Sequence, residues 1–252
     1  MLFEELKIFR KHKLQFVPDL RNAKVPGPFR GKPYIAEDIS ETEALLLANL
    51  CPTRAIEAKP FSIDIGRCVF CNACHFANPE KIKFTSDYKM ATNQREQLKI
   101  TAADSIPPKI EKSLIRGEIR SIFKKALKLR QVCAGGDNSC ELELNAAGNV
   151  NFDIGRYGIE FVASPRHADG LVITGPITKN MAKALEITWN AIPDPKILVL
   201  AGTDAISGGI FSGSEELNRN FLDNHPVDLY IPGNPMHPLT FINGILDLTS
   251  RV

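Results

Sequence analysis

The sequence predicts an α/β protein whose carboxy-terminal half is a parallel sheet covered by helices, preceded by a small α+β domain rich in cysteine. Three observations carry this. Short β-rich runs at Ile159–Ala163, Leu171–Thr174, Lys196–Ala201 and Val227–Ile231 are mostly apolar, as strands buried on both faces must be. Between them, Ile177, Met181, Leu185, Thr188 and Ile192 repeat at helical spacing until Pro193, and strands alternating with helices mean a parallel sheet. Four of the six cysteines fall between Cys51 and Cys74, ahead of every one of these strands.

In chain order, residues 1–37 read as a helix followed by an extended arm. Leu2, Phe3, Leu6, Phe9 and Phe16 have roughly helical spacing, with Lys7, Arg10, Lys11 and Lys13 between them. Such a helix packs on its own domain or a partner more often than on a membrane surface. Pro18, Pro26, Pro28, Gly31 and Pro33 make the following stretch loop-like. Residues 38–105 hold the first cysteine group. Pro107-Pro108 then breaks the chain, and residues 106–126 read as a linker helix with Ile110, Leu114, Ile119, Ile122, Phe123 and Leu127 on one face. Lys109 to Arg130 carries eight basic and two acidic residues; this is ordinarily a solvated helix face, with docking on an acidic partner or lipid head groups as the alternative. Residues 127–252 form the α/β domain, with a further strand expected at Leu127–Val132. Ligands of such sheets sit beyond the carboxyl ends of the strands, here the loops Cys133–Cys140, Gly175-Pro176, Gly202–Gly209 and Gly233–Pro238.

Composition narrows the function. With 252 residues, 44% hydrophobic and 24% charged, the chain can bury a core, which excludes disorder and disulfide scaffolds. Thirty-one basic against 29 acidic residues give no general attraction to nucleic acid. The longest apolar runs, Ala44–Ala48 and Ile197–Ala201, are far short of the roughly 20 residues that cross a bilayer, so no transmembrane segment is expected. Met1 leads directly into Glu4, Glu5 and Lys7, which is not a secretory signal. An intracellular protein is expected, and clustered cysteines in a reducing compartment point to metal or redox chemistry.

Cys68-Val69-Phe70-Cys71-Asn72-Ala73-Cys74 is a C-x2-C-x2-C run, and Cys51-Pro52 precedes it. Three closely spaced thiolates can hold three corners of a cubic iron–sulfur cluster, and in two-cluster ferredoxins the fourth comes from the Cys-Pro of the other half-motif. A full template ending at Cys51 would place cysteines at 41, 44 and 47, where the chain has Glu41, Ala44 and Leu47; one starting at Cys68 would place its fourth at 78, which is Asn78 followed by Pro79. The four ligands of one cluster are retained together and all four of the other are missing. One [4Fe–4S] cluster on Cys51, Cys68, Cys71 and Cys74 is the expectation. A four-cysteine zinc site bracing a non-redox docking subunit is the alternative, although zinc ribbons favour two separated C-x2-C pairs.

Phe29-Arg30-Gly31-Lys32-Pro33-Tyr34-Ile35 and the cysteine pattern after it resemble the two-cluster ferredoxin-like subunits of complex I and of membrane-bound energy-converting [NiFe] hydrogenases. Residues 118–252 resemble the small subunit of those hydrogenases and the related 20 kDa subunit of NADH:ubiquinone oxidoreductase. The matching segments are Cys140-Glu141-Leu142-Glu143, Ser164-Pro165-Arg166-His167-Ala168-Asp169, Thr174-Gly175-Pro176-Ile177-Thr178, Pro193-Asp194-Pro195-Lys196, Ser207-Gly208-Gly209-Ile210-Phe211 and Tyr230-Ile231-Pro232-Gly233. The resemblance implies a fusion of neighbouring subunits, with a ferredoxin-like domain ahead of a flavodoxin-like α/β domain. It also implies an electron-transfer subunit, without catalysis of its own, partnered by a large hydrogenase-like or quinone-site-like subunit and by membrane subunits. Attachment to the cytoplasmic face of the inner membrane through those partners follows.

The family's terminal [4Fe–4S] cluster is held by four cysteines, and the corresponding positions here read Asp137, Cys140, Asp204 and Asn234. Two thiolates, even counting Cys133, are a poor cage, and hard oxygen ligands suit iron–sulfur clusters badly. No second cluster is expected; a mixed oxygen–sulfur site for a divalent ion is the lesser alternative to a vacated site repacked with hydrogen-bonding side chains. If the family arrangement holds, Arg166-His167 lies near that site as hydrogen-bonded framework. His75 is expected to face solvent, and His225 and His237 lack ligand partners at recognisable spacing. Gly202–Gly209 follows a strand but is not G-x-G-x-x-G, so a dinucleotide site is not expected.

Overall fold

The computed structural model describes residues 2–12, 15–103 and 107–251. Met1, Lys13 and the expected boundary at 105/106 lie outside the described residues. In chain order the elements are α1 (Leu2–His12), β1 (Pro33–Ile35), α2 (Glu41–Leu50), β2 (Ile56–Ala58), β3 (Phe61–Asp64), α3 (Ala73–Ala77), β4 (Ile82–Phe84) and β5 (Lys99–Thr101). They continue with α4 (Gly117–Ile122), β6 (Leu127–Cys133), α5 (Ser139–Ala147), β7 (Ile159–Phe161), β8 (Gly170–Thr174), α6 (Lys179–Ala191), β9 (Ile197–Ala201), α7 (Thr203–Ser207), α8 (Asn220–Asn224), β10 (Leu229–Ile231) and α9 (Pro238–Leu248).

The five strands β6–β10 pair in parallel in the order β10-β9-β8-β6-β7. Numbered from β6, this is the 2-1-3-4-5 order of the flavodoxin-like fold, whose topological switch point lies between the first and third strands. Alternate residues of β8 and β9 serve opposite faces, as a period of two requires. Val172, Ile197 and Val199 pack with Leu144 of α5 and with Leu239, Ile242 and Ile245 of α9. Leu171, Ile173, Leu198 and Leu200 pack with Leu185 and Trp189 of α6 and Phe221 of α8.

The cysteine-bearing unit is built from two small antiparallel sheets, β1-β4 and β2-β3-β5, with α2 and α3. Ser40 starts α2 with a capping box: its hydroxyl accepts from Glu43 N–H while the Glu43 carboxylate accepts from Ser40 N–H. Pairing of β1 with β4 draws residues 33–35 into this unit. Its core residues Ile56, Ile63, Cys68, Phe70 and Leu98 belong to the same apolar cluster as Ile173, Leu200 and Ile206. The two units therefore share a core instead of meeting at a solvated boundary.

The expected linker helix is not continuous. Residues 112–114 form a single 3-10 turn and only Gly117–Ile122 is α-helical. Arg116, just before α4, sends its guanidinium to the Asp228 carboxylate at 3.1 and 3.0 Å and to the Lys196 carbonyl at 2.5 Å. That tertiary anchor outweighs the weak helix preference of a segment interrupted by Gly117. Ile119 and Phe123 are buried as expected, but Leu114 and Ile122 are exposed. At the amino terminus α1 forms, yet every described side chain on it is exposed, so it does not pack on its own domain.

Candidate metal centre at the cysteine loop

Each cysteine is placed by a distinct local device. Cys51 caps the carboxyl end of α2, its N–H bonding to the Ala48 carbonyl, and its sulfur accepts from Ala55 N–H at 3.2 Å. Cys68 follows the turn after β3, where Asp64 accepts from Gly66 N–H and the Cys68 N–H bonds to the Asp64 carbonyl. Arg95 fixes that turn through a bidentate pair with the buried Asp64 carboxylate at 2.9 and 2.6 Å. Phe70 and Asn72 both adopt left-handed backbone, with φ of 52° and 71°. These reversals curl the C-x2-C-x2-C run around one centre, with Cys74 in the first turn of α3.

All four cysteines line a single cavity, walled by Pro52, Ile56, Ile63, Val69 and Phe84. Among the described residues, no three Cys, His, Asp or Glu side chains converge tightly enough to ligate one ion. Cys68 is buried, Cys51 and Cys74 are half-buried and Cys71 is exposed. Burial pushes the Cys68 thiol well up, and pushes Cys74 up to about 11, with the neighbouring cysteines adding to both shifts. Phe70 N–H donates to the Cys68 sulfur at 3.3 Å, so backbone dipoles already oppose the desolvation of these thiolates. The donor set fits a group held by four thiolates.

This cavity sits directly on the parallel sheet. The buried Thr203 hydroxyl, at the start of α7 and therefore beyond β9, donates to the Cys68 carbonyl at 2.8 Å. Gly66 packs so closely on Leu98 and Ile206 that an added Cβ would lie 2.9 and 3.0 Å from them. Thr92 and Tyr230 exchange backbone hydrogen bonds across the same junction.

The structure gathers Asp137, Cys140, Asp204 and Asn234 at the carboxyl ends of β6, β9 and β10. Gly202 approaches Cys140 so closely that a Cβ there would sit 2.4 Å from its sulfur and 3.5 Å from the Gly233 carbonyl. Burial pushes the Cys140 thiol up to about 12, with Glu141, Asp204 and Asp137 adding to it. Asp137 accepts from the Ser139 N–H at 3.0 Å and hydroxyl at 2.6 Å, and the Cys140 thiol has a backbone hydrogen bond with Met236. Asp204 is 8% exposed and its Oδ1 has no hydrogen-bond partner. The reason is steric and local. This oxygen is turned against Gly209, where a Cβ would lie only 1.9 Å away, while Gly209 N–H bonds to the Ser207 hydroxyl. Arg219 is nearby but donates to the backbone carbonyls of Pro176, Asp204, Ala205 and Ile206. Burial raises the Asp204 carboxyl to about 6, with Asp137 adding to the shift and Arg219 opposing it. No side-chain hydrogen bond is formed by Asn234 among the described residues.

Two histidine expectations change. Arg166 and His167 stand in a turn leading into β8, but Asp137, Cys140, Asp204 and Asn234 lie beyond the other ends of the strands. Parallel strands separate their two ends by the strand length, about 16 Å for five residues, so these residues are not near that site. His75 is half-buried, its Nδ1 bonded to the Ile82 carbonyl at 2.7 Å. His225 bonds to the Glu186 carboxylate at 3.4 Å. Thr203 and Arg219, which join the cysteine unit to the sheet and brace its loops, escape a reading of the sequence alone. Their contacts run to backbone carbonyls, which leave no spacing signature.

Comparison with known proteins bears on the sheet unit. Residues 137–248 match the family described as the NADH ubiquinone oxidoreductase 20 kDa subunit. A probable membrane-bound hydrogenase subunit of Pyrococcus furiosus is 35% identical over 115 residues, covering 46% of this chain and 69% of the relative. In Clostridium beijerinckii, an NADH-quinone oxidoreductase subunit is 40% identical over 114 residues, covering 45% of this chain and 68% of the relative. Formate hydrogenlyase subunit 7 of Escherichia coli is 34% identical over 148 residues, covering 55% of each chain. The chain thus spans between about half and about two thirds of these relatives, and Cys51, Cys68, Cys71 and Cys74 precede the segment that matches the family. The strand order, the loops at the carboxyl ends of the strands and these matches agree: the chain belongs to the family of the NADH ubiquinone oxidoreductase 20 kDa subunit.

Proposed function

We propose that this chain is an electron-transfer subunit of a membrane-associated oxidoreductase complex, in which Cys51, Cys68, Cys71 and Cys74 hold one [4Fe–4S] cluster. The observation that carries the reading is the gathering of four thiols around one cavity that is packed, through Thr203 and Cys68, against the carboxyl ends of the family's sheet. When bound, the cluster supplies one-electron transfer. The chain's own residues do the rest. Ala55 and Phe70 N–H groups stabilise thiolate charge on Cys51 and Cys68. Ile56, Ile63, Val69 and Phe84 exclude water from the cavity, and Cys71 offers an exposed edge for a donor. The C-x2-C-x2-C sequence spacing favours a cluster over zinc, since zinc ribbons favour two separated C-x2-C pairs.

In this reading the chain fuses two neighbouring subunits: an amino-terminal arm (1–37), a ferredoxin-like domain (38–105), a connecting segment (106–126) and the α/β domain (127–252). The α/β domain is a docking scaffold for a large hydrogenase-like or quinone-site-like subunit, and the complex stands on the cytoplasmic face of the inner membrane. The terminal-cluster positions Asp137, Cys140, Asp204 and Asn234 hold no second cluster, because two carboxylates and an amide replace thiolates there. Substitution separates the two sites. Cys68→Ser abolishes bound iron, whereas Cys140→Ser leaves the iron content unchanged; iron loss in the Cys140 variant overturns the assignment.

A further inference from the structure

The amino-terminal helix is the largest feature for which the fold supplies no partner. Phe3 is 78% and Phe9 74% exposed, and Leu6 and Ile8 are also exposed. Phe3, Leu6 and Phe9 lie on one side of α1, with Lys7 on one flank, Glu5 on the other and Arg10 in line with Phe3. Among the described residues, side-chain hydrogen bonds from α1 stay within the segment: Lys7 to Glu4, and His12 to Gln15. An isolated helix of 11 residues is marginal in water without a surface to bury its apolar side.

Where α1 joins the body is informative. Val17 N–H donates to the Asn151 carbonyl at 2.8 Å, and Arg156 donates to the Val17 carbonyl at 2.6 Å while lying over the Phe16 ring. The next residue, Tyr157, is tied through Arg251 to the Phe123 carbonyl at the end of α4. Leu127 N–H then bonds to the Gly158 carbonyl. The root of α1 therefore adjoins the segment bearing Lys124, Lys125 and Lys128, all exposed, with exposed Ile122 beside them. From residue 119 to 136 there are five basic residues and no acidic one. The root of a helix with an exposed apolar side and a separate cationic segment thus lie together at one edge of the molecule.

We propose that this edge, α1 together with the Ile122–Lys128 segment, binds an anionic phospholipid bilayer directly. Lipid is favoured over a protein groove because a groove would cover α1 alone, whereas an extended anionic surface satisfies both elements at once. Phe3, Leu6 and Phe9 enter the interface while Lys7, Arg10 and the lysines after Ile122 meet the head groups. The inference is independent of the cluster and needs no partner subunit.

The test is co-sedimentation of the full chain with vesicles of phosphatidylcholine, with and without phosphatidylglycerol. The chain is expected to bind the anionic vesicles and to lose most binding on neutral ones. Phe9→Glu, at an exposed position, is expected to weaken binding by at least about tenfold. Lys124→Gln together with Lys125→Gln is expected to weaken it by about fivefold per residue, with thermal unfolding of both variants unchanged. Failure of the wild-type chain to bind anionic vesicles overturns the proposal, as does undiminished binding by Phe9→Glu. Equal binding to neutral and anionic vesicles overturns it too, and α1-dependent capture by another protein without lipid binding reassigns the helix to a groove.

Discussion

Replacing Asp204 by Asn is expected to stabilise the protein at neutral pH, and the gain is expected to vanish in acid. Asp204 is 8% exposed, its Oδ1 is unpartnered against Gly209, and its carboxyl is raised from 3.8 to about 6. Below about pH 3.8 the carboxyl is protonated in both folded and unfolded chains and imposes no penalty. Between 3.8 and 6 the unfolded chain releases the proton while the native state holds it, so stability falls as pH rises. Above about 6 the penalty is fully present. At about 1.4 kcal/mol per pH unit, the raised carboxyl corresponds to about 3 kcal/mol. The substitution recovers less, because the Asn carbonyl keeps an unpaired oxygen and the attraction to Arg219 is lost. A net gain of about 1–2 kcal/mol at pH 7.5 is expected, a rise in melting temperature of roughly 2–8 °C for a chain of this size. Denaturant unfolding of both proteins at pH 7.5, 6, 5 and 4 measures it. A variant less stable than wild type at pH 7.5, or a difference that does not shrink between pH 6 and 4, refutes the argument.

Two further substitutions probe the same junction. Gly202→Ala is expected to destabilise the fold by about 2–4 kcal/mol, because φ of 95° with ψ of 157° is glycine backbone and the added Cβ would lie 2.4 Å from the Cys140 sulfur; an unchanged melting temperature contradicts this. Thr203→Val keeps the side-chain shape but leaves the buried Cys68 carbonyl without its donor, so a loss of about 1–2 kcal/mol in denaturant unfolding is expected, and no loss would detach the cysteine loop energetically from the sheet.

The legible parts of this protein are those fixed by short-range pattern. Leu171–Thr174 and Ile197–Ala201 read as buried strands because both their faces are covered, and Leu185 and Trp189 of α6 cover one of those faces. The cysteine cavity is legible because three cysteines fall within seven residues and the fourth is followed by proline. What the sequence hides depends on distant packing. The segment 106–126 has helical periodicity, yet Arg116 is held by Asp228, which lies 112 residues away. The Thr203–Cys68 bond joins residues 135 apart. Asp204 is expected to find hydrogen-bond donors in the glycine-rich loops, but the one beside its Oδ1, Gly209, turns its N–H to Ser207. His167 falls at the wrong end of the sheet because a segment next to a strand does not say which end it occupies.

The central claim is that four thiols hold one iron–sulfur cluster. It is tested most directly by iron, acid-labile sulfide and zinc analysis of anaerobically purified chain, with visible spectra before and after dithionite. About four irons and four sulfides per chain, with absorbance that bleaches on reduction, are expected. About one zinc with no iron contradicts electron transfer through this site, and roughly eight irons contradict the claim that Asp137, Cys140, Asp204 and Asn234 hold no cluster.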